Sequence, residues 1–367
     1  MIEPATILQS FSHIPADIES LASLFASDKG VGRRYVLGRN EHSAALSELF
    51  EIDCFVDDFA EPGTIWNGRP VVKREMVPKN AVIVSCSMSI SPVSVAKMLA
   101  RLDVFGVLNY MDLHRVFPQR VPLPIFVAET RLDVERNWKH WTALYEVLAD
   151  AASKQVFDDL LAFRLTGDLE SMAAYTVRLQ DQYFEDFLGL GAGEVFVDAG
   201  GYDGDTAEEF CLRVPDYKKI FFFEPSPENI KKAKIKLKDR REIDFIERGL
   251  SNVEESVWFN PDAGSASAIS TSGSLQIKMT TMDLQVQERV TFIKMDLEGG
   301  EYKALEGAKR HILEDHPKLA IAVYHQSADF WQLFEQILRI RSDYRVYLRH
   351  YTEGWSETVM FFVPVAT

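Results

Sequence analysis

Val195-Phe196-Val197-Asp198-Ala199-Gly200-Gly201-Tyr202-Asp203-Gly204-Asp205-Thr206 is the stretch on which the reading of this chain turns. An apolar run that ends in an acid and breaks into glycines reads as a buried strand, a tight turn and a helix start. Thr206 and Glu209 have capping-box spacing, with Ala207, Phe210 and Cys211 as the inward helix face. Glycines at 200 and 204 let the backbone approach a ligand with no side chain in the way, and an acid at a strand end bonds ligand hydroxyls or amines. Taken alone, such a turn also serves tight packing of helix on strand.

Working outward, Ile220-Phe221-Phe222-Phe223 ends in Glu224-Pro225-Ser226-Pro227, placing a second acid 26 residues after Asp198 at an adjacent strand tip. An acid so placed typically takes ribose hydroxyls. Ser226 reads as an N-cap with Pro227 opening the helix. Phe245-Ile246 leads to Gly249-Leu250-Ser251-Asn252, and Thr291 to Met295 is a strand ending in Asp296-Leu297-Glu298-Gly299-Gly300-Glu301. Leu319 to Val323 ends at Tyr324-His325, and Arg345 to Leu348 with Thr358 to Val363 read as an antiparallel closing pair. Ligands of open α/β sheets bind beyond the carboxyl ends of strands. Asp198, Glu224, Ser251, Asp296 and His325 are therefore expected to converge on one crevice.

Upstream, alternating strand and helix signals begin at Arg34, with Asn67-Gly68 between Ile65-Trp66 and Val71-Val72 reading as a tight hairpin. These signals predict an N-terminal Rossmann-like α/β domain over 1–127, a helical connector over 128–190 and a doubly wound α/β domain over 191–367. The Ser-, Ala-, Thr- and Gly-rich tract 264–274 reads as a mobile loop. In the first domain Asp57 follows Gly38 by 19 residues, near dinucleotide-fingerprint spacing, but Arg39 and Asn40 stand where glycine would admit a pyrophosphate. That counts against NAD and leaves a nucleotide-sugar at the helix N-terminus open. The layout is similar to the small nucleotide-binding-like domain of some sugar acyltransferases, and a scaffold or dimerisation role is the plainer reading.

The 367 residues include 47% hydrophobic and 26% charged positions, an ordinary globular composition, and no run approaches the length of a membrane span. A net charge of −15 disfavours partners that are phosphate backbones or anionic lipid and points to small molecules or sugars. Three cysteines make no paired framework and suit a reducing compartment. The stretch from Met1 to Gly30 shows no signal-peptide pattern, so cytoplasmic residence is the expectation. Homo-oligomerisation through the N-terminal domain stays open.

Val197 to Thr206, Phe223 to Pro225, and Ile293-Lys294-Met295-Asp296-Leu297-Glu298-Gly299-Gly300-Glu301 followed by Leu305, Gly307 and Ala308 resemble the FkbM family of S-adenosylmethionine-dependent methyltransferases. Phe163 to Asp168, Gln182-Tyr183-Phe184, Tyr324-His325, Arg349-His350-Tyr351 and Glu357-Thr358-Val359 are similar to segments of its larger members. The resemblance spans roughly residues 155 to 363 and implies a class I methyltransferase sheet. It implies further that Asp198, Ala199, Gly200, Gly201, Tyr202, Gly204 and Thr206 wrap the methionine part of the cofactor, with Glu224 and Pro225 at the ribose and Leu250 and Ser251 near the adenine. Gly201 and Gly300 stand where the family more often has Ala, and Tyr202 where it often has Asn.

Methyl transfer from a sulfonium is an in-line displacement, so the protein mainly holds the acceptor atom near the methyl carbon and excludes water. A neutral hydroxyl is a poor nucleophile and gains from a general base. His325 is the first candidate by its unperturbed pKa, with Asp296 and Glu298 next and Asp296 also a cofactor contact. Those three also suit magnesium as hard ligands, but their spacing is no metal signature and no metal is expected. Tyr324 is an expected acceptor contact, as are Arg349 and His350, read as lying in the loop that joins the last two strands. The expected activity is O-methylation of a hydroxyl on a sugar or small metabolite. A non-catalytic nucleotide or nucleotide-sugar binding module and an NAD-dependent oxidoreductase are the alternatives.

Overall fold

The computed structural model describes residues 1–27, 33–259 and 275–365, and the tract 264–274 lies outside them. Chain contacts divide it into two units: Met1–Arg136 with Asp158–Val177 and Thr352–Ser356, and Asn137–Phe157 with Arg178–Tyr351 and Glu357–Thr367. The first part of the segment read as a connector lies in two long helices, Ile125–Val147 and Ala151–Thr166, whose residues fall in both units, while 167–190 holds only short 3-10 turns. The first is broken at Asn137, where φ is −123° and ψ 19°, and the unit boundary falls at the same residue.

The first unit is built on strands β1 (Arg33–Leu37), β2 (Cys54–Val56), β3 (Ile65–Trp66), β4 (Arg69–Val72), β5 (Ala81–Ser85) and β6 (Gly106–Asn109). Their order is β3-β4-β2-β1-β5-β6, parallel except for β3. The β3–β4 hairpin closes through Asn67 and Gly68, both at positive φ, as a two-residue turn of that sequence requires. β1 and β5 are parallel neighbours in the sheet, and Asn40 ties the segments that follow them. Its Oδ1 accepts from Ser43 N at 3.0 Å, capping the helix Glu41–Leu49, while its Nδ2 donates to Cys86 O at 2.9 Å. Thr352–Ser356 packs onto the same region. Ser94 N and Oγ, in the first turn of the helix Pro92–Leu99, donate to the Glu353 carboxylate at 2.6 and 2.5 Å.

The second unit holds β7 (Val195–Ala199), β8 (Lys219–Phe223), β9 (Ile243–Ile246), β10 (Gly249–Leu250), β11 (Glu255–Phe259), β12 (Leu275–Thr280), β13 (Phe292–Met295), β14 (Lys318–Ala322), β15 (Tyr344–His350) and β16 (Thr358–Pro364). Among the described residues they make a seven-stranded sheet, β15-β16-β14-β13-β7-β8-β9, and a small one, β10-β12-β11. The five strands from β14 to β9 are parallel, and β16 pairs antiparallel with both β14 and β15. This is a doubly wound Rossmann-like sheet closed by an antiparallel pair. β7, β8, β13 and β14 are apolar throughout except for Asp198, Lys219, Lys294 and Lys318, because both sheet faces are covered. Phe196, Phe210, Phe222 and Phe292 pack with Ile230 and Leu237 into the core.

Two local expectations are corrected. The helix after β7, Asp205–Arg213, is entered from Gly204 at φ +90°, and no side chain caps it. Thr206 is therefore already helical, and Glu209 accepts from Arg213 Nε at 2.6 Å in place of the reciprocal cap bond. β15 runs on through Arg349 and His350, paired with Val359 and Thr358, so these two are strand residues and not loop residues. Ser226 does cap the helix Pro227–Lys236, accepting from Asn229 N at 3.4 Å with Pro227 in the first turn.

Candidate functional site

β7, β8, β13 and β14 end on the same sheet edge and carry the site residues there. At the end of β7 the chain turns through Gly200 at φ +79°. A Cβ on this residue would lie 1.9 Å from the Asp296 carbonyl oxygen, so only glycine lets the turn pass β13 so closely. Gly200 N and Gly201 N both donate to Phe223 O at 3.0 Å, fastening the turn to β8.

Glu224, at the end of β8, is buried and accepts from Tyr202 N at 3.0 Å, Ser226 N at 2.9 Å and Asn229 Nδ2 at 3.3 Å. Burial nevertheless raises its carboxyl above the ordinary range, the three bonds countering in part. Pro225 Cβ lies 3.7 Å from where a Cβ at Gly249 would stand, which places β10 beside this strand tip. Leu250 and Ser251 are buried there, with Ser251 N donating to Thr280 O at 2.8 Å. Ala199 is fully buried at the strand end, Thr206 lies in the first turn of the helix, and Tyr202 is 39% exposed.

At the ends of β13 and β14 four ionisable groups meet. His325 Nε2 lies 3.2 Å from Asp296 Oδ1 and 3.3 Å from Glu298 Oε2, and its Nδ1 lies 3.1 Å from Glu301 Oε1. The imidazole side chain is 8% exposed. Burial alone would lower its pKa, but bonding to Asp296 and Glu301 outweighs that and holds it well above its ordinary value. Burial opposes the charge on Asp296 in the same way, and His325 holds this carboxyl well below the usual range. Burial pushes Glu298 up to about 7, with the neighbouring Asp296, Glu301 and Glu357 adding to the rise and His325 opposing it. Asp296, Glu298 and His325 are close enough to share a cation, although a proton on Nε2 serves both carboxylates equally well.

A second ring of residues supports the first, and of these only Tyr324 was among the expected site residues. Tyr183 Oη donates to Asp296 Oδ2 at 2.6 Å, while Gln182 Nε2 donates to Tyr183 Oη at 2.9 Å and to Glu357 Oε2 at 2.7 Å. Tyr324 bonds the same Glu357 carboxyl, which burial and Asp296 push up to about 6. The Tyr324 ring sits 4.1 Å from that of His325. Among the described residues seven non-glycines have positive φ, and Tyr183, Tyr202, Glu298 and Glu357 are four of them. Such strain persists only where the surroundings over-determine it, and it gathers at functional sites.

Two more residues escaped the sequence pattern. Glu301, which opens the helix after β13, is fully buried and accepts from Leu297 N at 2.7 Å. Lys294 is 2% exposed inside β13, with Nζ 2.7 Å from Gly200 O and 3.2 Å from Asp198 Oδ1. Asp198 is itself fully buried, so its carboxylate faces this lysine and not open space. A lone cation in an apolar strand was the available signal.

Arg349 and His350 stand apart. Arg349 donates to Asp150 Oδ2 at 2.7 Å and Ser153 Oγ at 2.8 Å, and His350 Nδ1 lies 2.9 Å from Thr358 Oγ1. The Arg349 guanidinium and the His350 Nδ1 are engaged in structural bonds. In the first unit Arg39 Nε donates to Asp57 Oδ2 at 2.7 Å, so the acid of the partial dinucleotide pattern is engaged by its own neighbour.

Residues 198–349 match the family model of the methyltransferase FkbM domain. The crystal structure of a methyltransferase FkbM from Methylobacillus flagellatus is similar over 98% of this chain and 100% of its own, at 25% identity and a TM-score of 0.74. An rRNA methylase from Streptococcus thermophilus aligns with 49% of this chain and 93% of its own, at 17% identity and a TM-score of 0.35. No curated protein matches the chain. No described helix is long and apolar enough to cross a membrane. The glycine turn and the histidine–carboxylate cluster both lie inside the span that matches the FkbM methyltransferase domain, and the match supports an enzyme that transfers methyl groups.

Proposed function

We propose that this methyltransferase uses S-adenosylmethionine to methylate a hydroxyl on a sugar or another small polyhydroxylated metabolite. The observation that carries the reading is the His325 cluster standing one strand away from the Gly200 turn, proton-handling groups beside a ligand cradle. The cradle fits the cofactor: a side-chain-free turn at one strand tip and, at the next, an acid already aligned by three donors, as a ribose diol requires. Gly200, Gly201, Tyr202 and Gly204 would hold its amino-acid end, Glu224 and Pro225 its ribose, and Leu250 and Ser251 its base, with Ala199, Asp198 and Thr206 shaping the turn. When bound, the sulfonium supplies an electrophilic methyl group.

The protein's own part is to orient the acceptor and take its proton. His325 is the first candidate for the base by residue type, but Asp296 and Glu301 on either side hold its pKa well above the ordinary value, which favours the protonated ring and makes it a poor proton acceptor. Glu298, pushed up to about 7, is the group that changes state there, and we assign the proton-accepting role to it. His325 then serves as a fixed cation that orients Glu298 and offsets the negative charge of the cluster, and Asp296 anchors it. Tyr324 lines the acceptor side.

Calorimetric titration of ligand-stripped protein with S-adenosylmethionine, beside NADH and a nucleotide-sugar, tests the cofactor. Saturable one-to-one binding of the first supports the reading, and binding of only a control ligand overturns it. An acceptor screen read by methyl incorporation into sugars then tests the hydroxyl assignment.

A further inference from the structure

A buried lysine is expensive. Removing an ammonium from water costs several kcal/mol even after relaxation, and a buried ion pair is often no more stabilising than two apolar side chains of the same volume. Lys294 sits in the middle of β13, in register with Asp198 on β7, so the two side chains share one face of the sheet. Were Lys294 present only to neutralise Asp198, the pair would have no purpose that a leucine and a valine could not serve.

The geometry shows what else it does. Nζ lies 2.7 Å from the carbonyl oxygen of Gly200, nearer than the 3.2 Å to Asp198. The Gly200 turn is tied to β8 by its amides, and on the opposite flank Asp296 N donates to Ala199 O at 3.1 Å. Lys294 continues that flank by one residue and fixes the peptide where the chain enters left-handed conformation. It also stands 5.2 Å from the centre of the Tyr183 ring, whose hydroxyl bonds Asp296. One ammonium thus touches the end of the cradle and the support of the proton-handling cluster.

We propose, resting on the S-adenosylmethionine reading above, that Lys294 is a positioning residue whose ammonium clamps the Gly200 carbonyl and presets the 200–204 turn for the cofactor. Asp198 is its counter-charge and touches no ligand. The cradle is then rigid before the cofactor arrives, and the entropy of ordering it is not charged against binding.

The test is a paired substitution, Lys294→Met with Asp198→Asn, which removes the clamp without leaving an unpaired buried charge. Thermal unfolding and calorimetric titration with S-adenosylhomocysteine are measured on it and on the natural chain. A clamp predicts near-natural unfolding temperature with affinity reduced on the order of 10-fold or more, as for loss of a charge-assisted hydrogen bond. Unchanged affinity in a folded pair overturns the proposal and leaves the cofactor reading standing. No binding by the natural chain defeats both. If the first pair does not fold, Lys294→Leu with Asp198→Val is measured in the same way, and failure of both to fold assigns Lys294 to stability alone.

Discussion

Glu298 Oε2 stands 3.3 Å from His325 Nε2 on a backbone held at φ +53°. The turn that follows β13 thus takes a left-handed conformation at the residue that brings this carboxyl to the imidazole. If Glu298 accepts the proton, turnover under saturating substrates should rise with pH through a midpoint near 7. In Glu298→Gln that limb should vanish, with turnover reduced by about 100-fold or more and cofactor affinity within a few-fold. A pH profile of the variant that keeps the limb would remove Glu298 from the role.

The same group has a signature in stability. Its folded pKa lies above the unfolded value of 4.5, so its contribution is present in full below 4.5 and is lost as pH rises towards 7. Replacing it with Gln removes that loss. The unfolding temperature of Glu298→Gln relative to the natural chain should consequently improve between pH 5 and 8, which a calorimetric series across those values would show.

Glu301 is the buried partner on the other side of the ring. Glu301→Ala strips His325 Nδ1 of its counter-charge and Leu297 N of its acceptor. We expect a loss of about 2–4 kcal/mol in urea unfolding, as for breaking a buried charged pair. The His325 ring pKa should also fall, which NMR titration of its Cε1 proton would read. An unmoved ring would show that Asp296 alone sets its charge.

Gly200→Ala places a Cβ against the Asp296 carbonyl in a left-handed conformation. The cost should exceed about 2 kcal/mol, strain and contact together. Cofactor binding should fall further than stability, since the displaced peptide is the cradle itself. Thermal unfolding paired with titration separates the two, and a variant that binds normally would show that the turn adapts.

Arg349 gives the contrasting case. Its guanidinium grips Asp150 and Ser153, so Arg349→Ala should cost about 1–2 kcal/mol of stability and leave acceptor KM unchanged. A raised KM without loss of stability would return it to the acceptor site.

Arg349 also shows why part of the site was illegible. In sequence the strand pattern stops at Leu348 because Arg349 and His350 follow, yet the guanidinium is satisfied by Asp150, 199 positions away, and β15 continues. No local periodicity carries that information. By contrast the β7 turn, the Ser226–Pro227 cap and the Asn67–Gly68 hairpin are decided by residues within four positions of one another, and each was read from sequence. Thr206 failed despite being local, because a left-handed glycine opened the helix two residues early. Gln182, Tyr183 and Glu357 enter the site from segments with no spacing relation to Asp296, and Glu301 and Lys294 looked like charges in ordinary places. Polarity was visible in each of them, but burial was not.

The placement of Thr352–Ser356 in the first unit governs how this chain can be taken apart. Its flanking strands, β15 and β16, belong to the second unit, while Glu353 completes the helix start at Ser94. A protease cut or a gene truncation in the 128–190 segment would separate two polypeptides but not two finished bodies. One would lack the Glu353 carboxylate that accepts from Ser94, and the other would carry the residues 352–356 without the unit they are grouped with. Complementation between separately produced halves is therefore a more natural experiment on this protein than excision of either half.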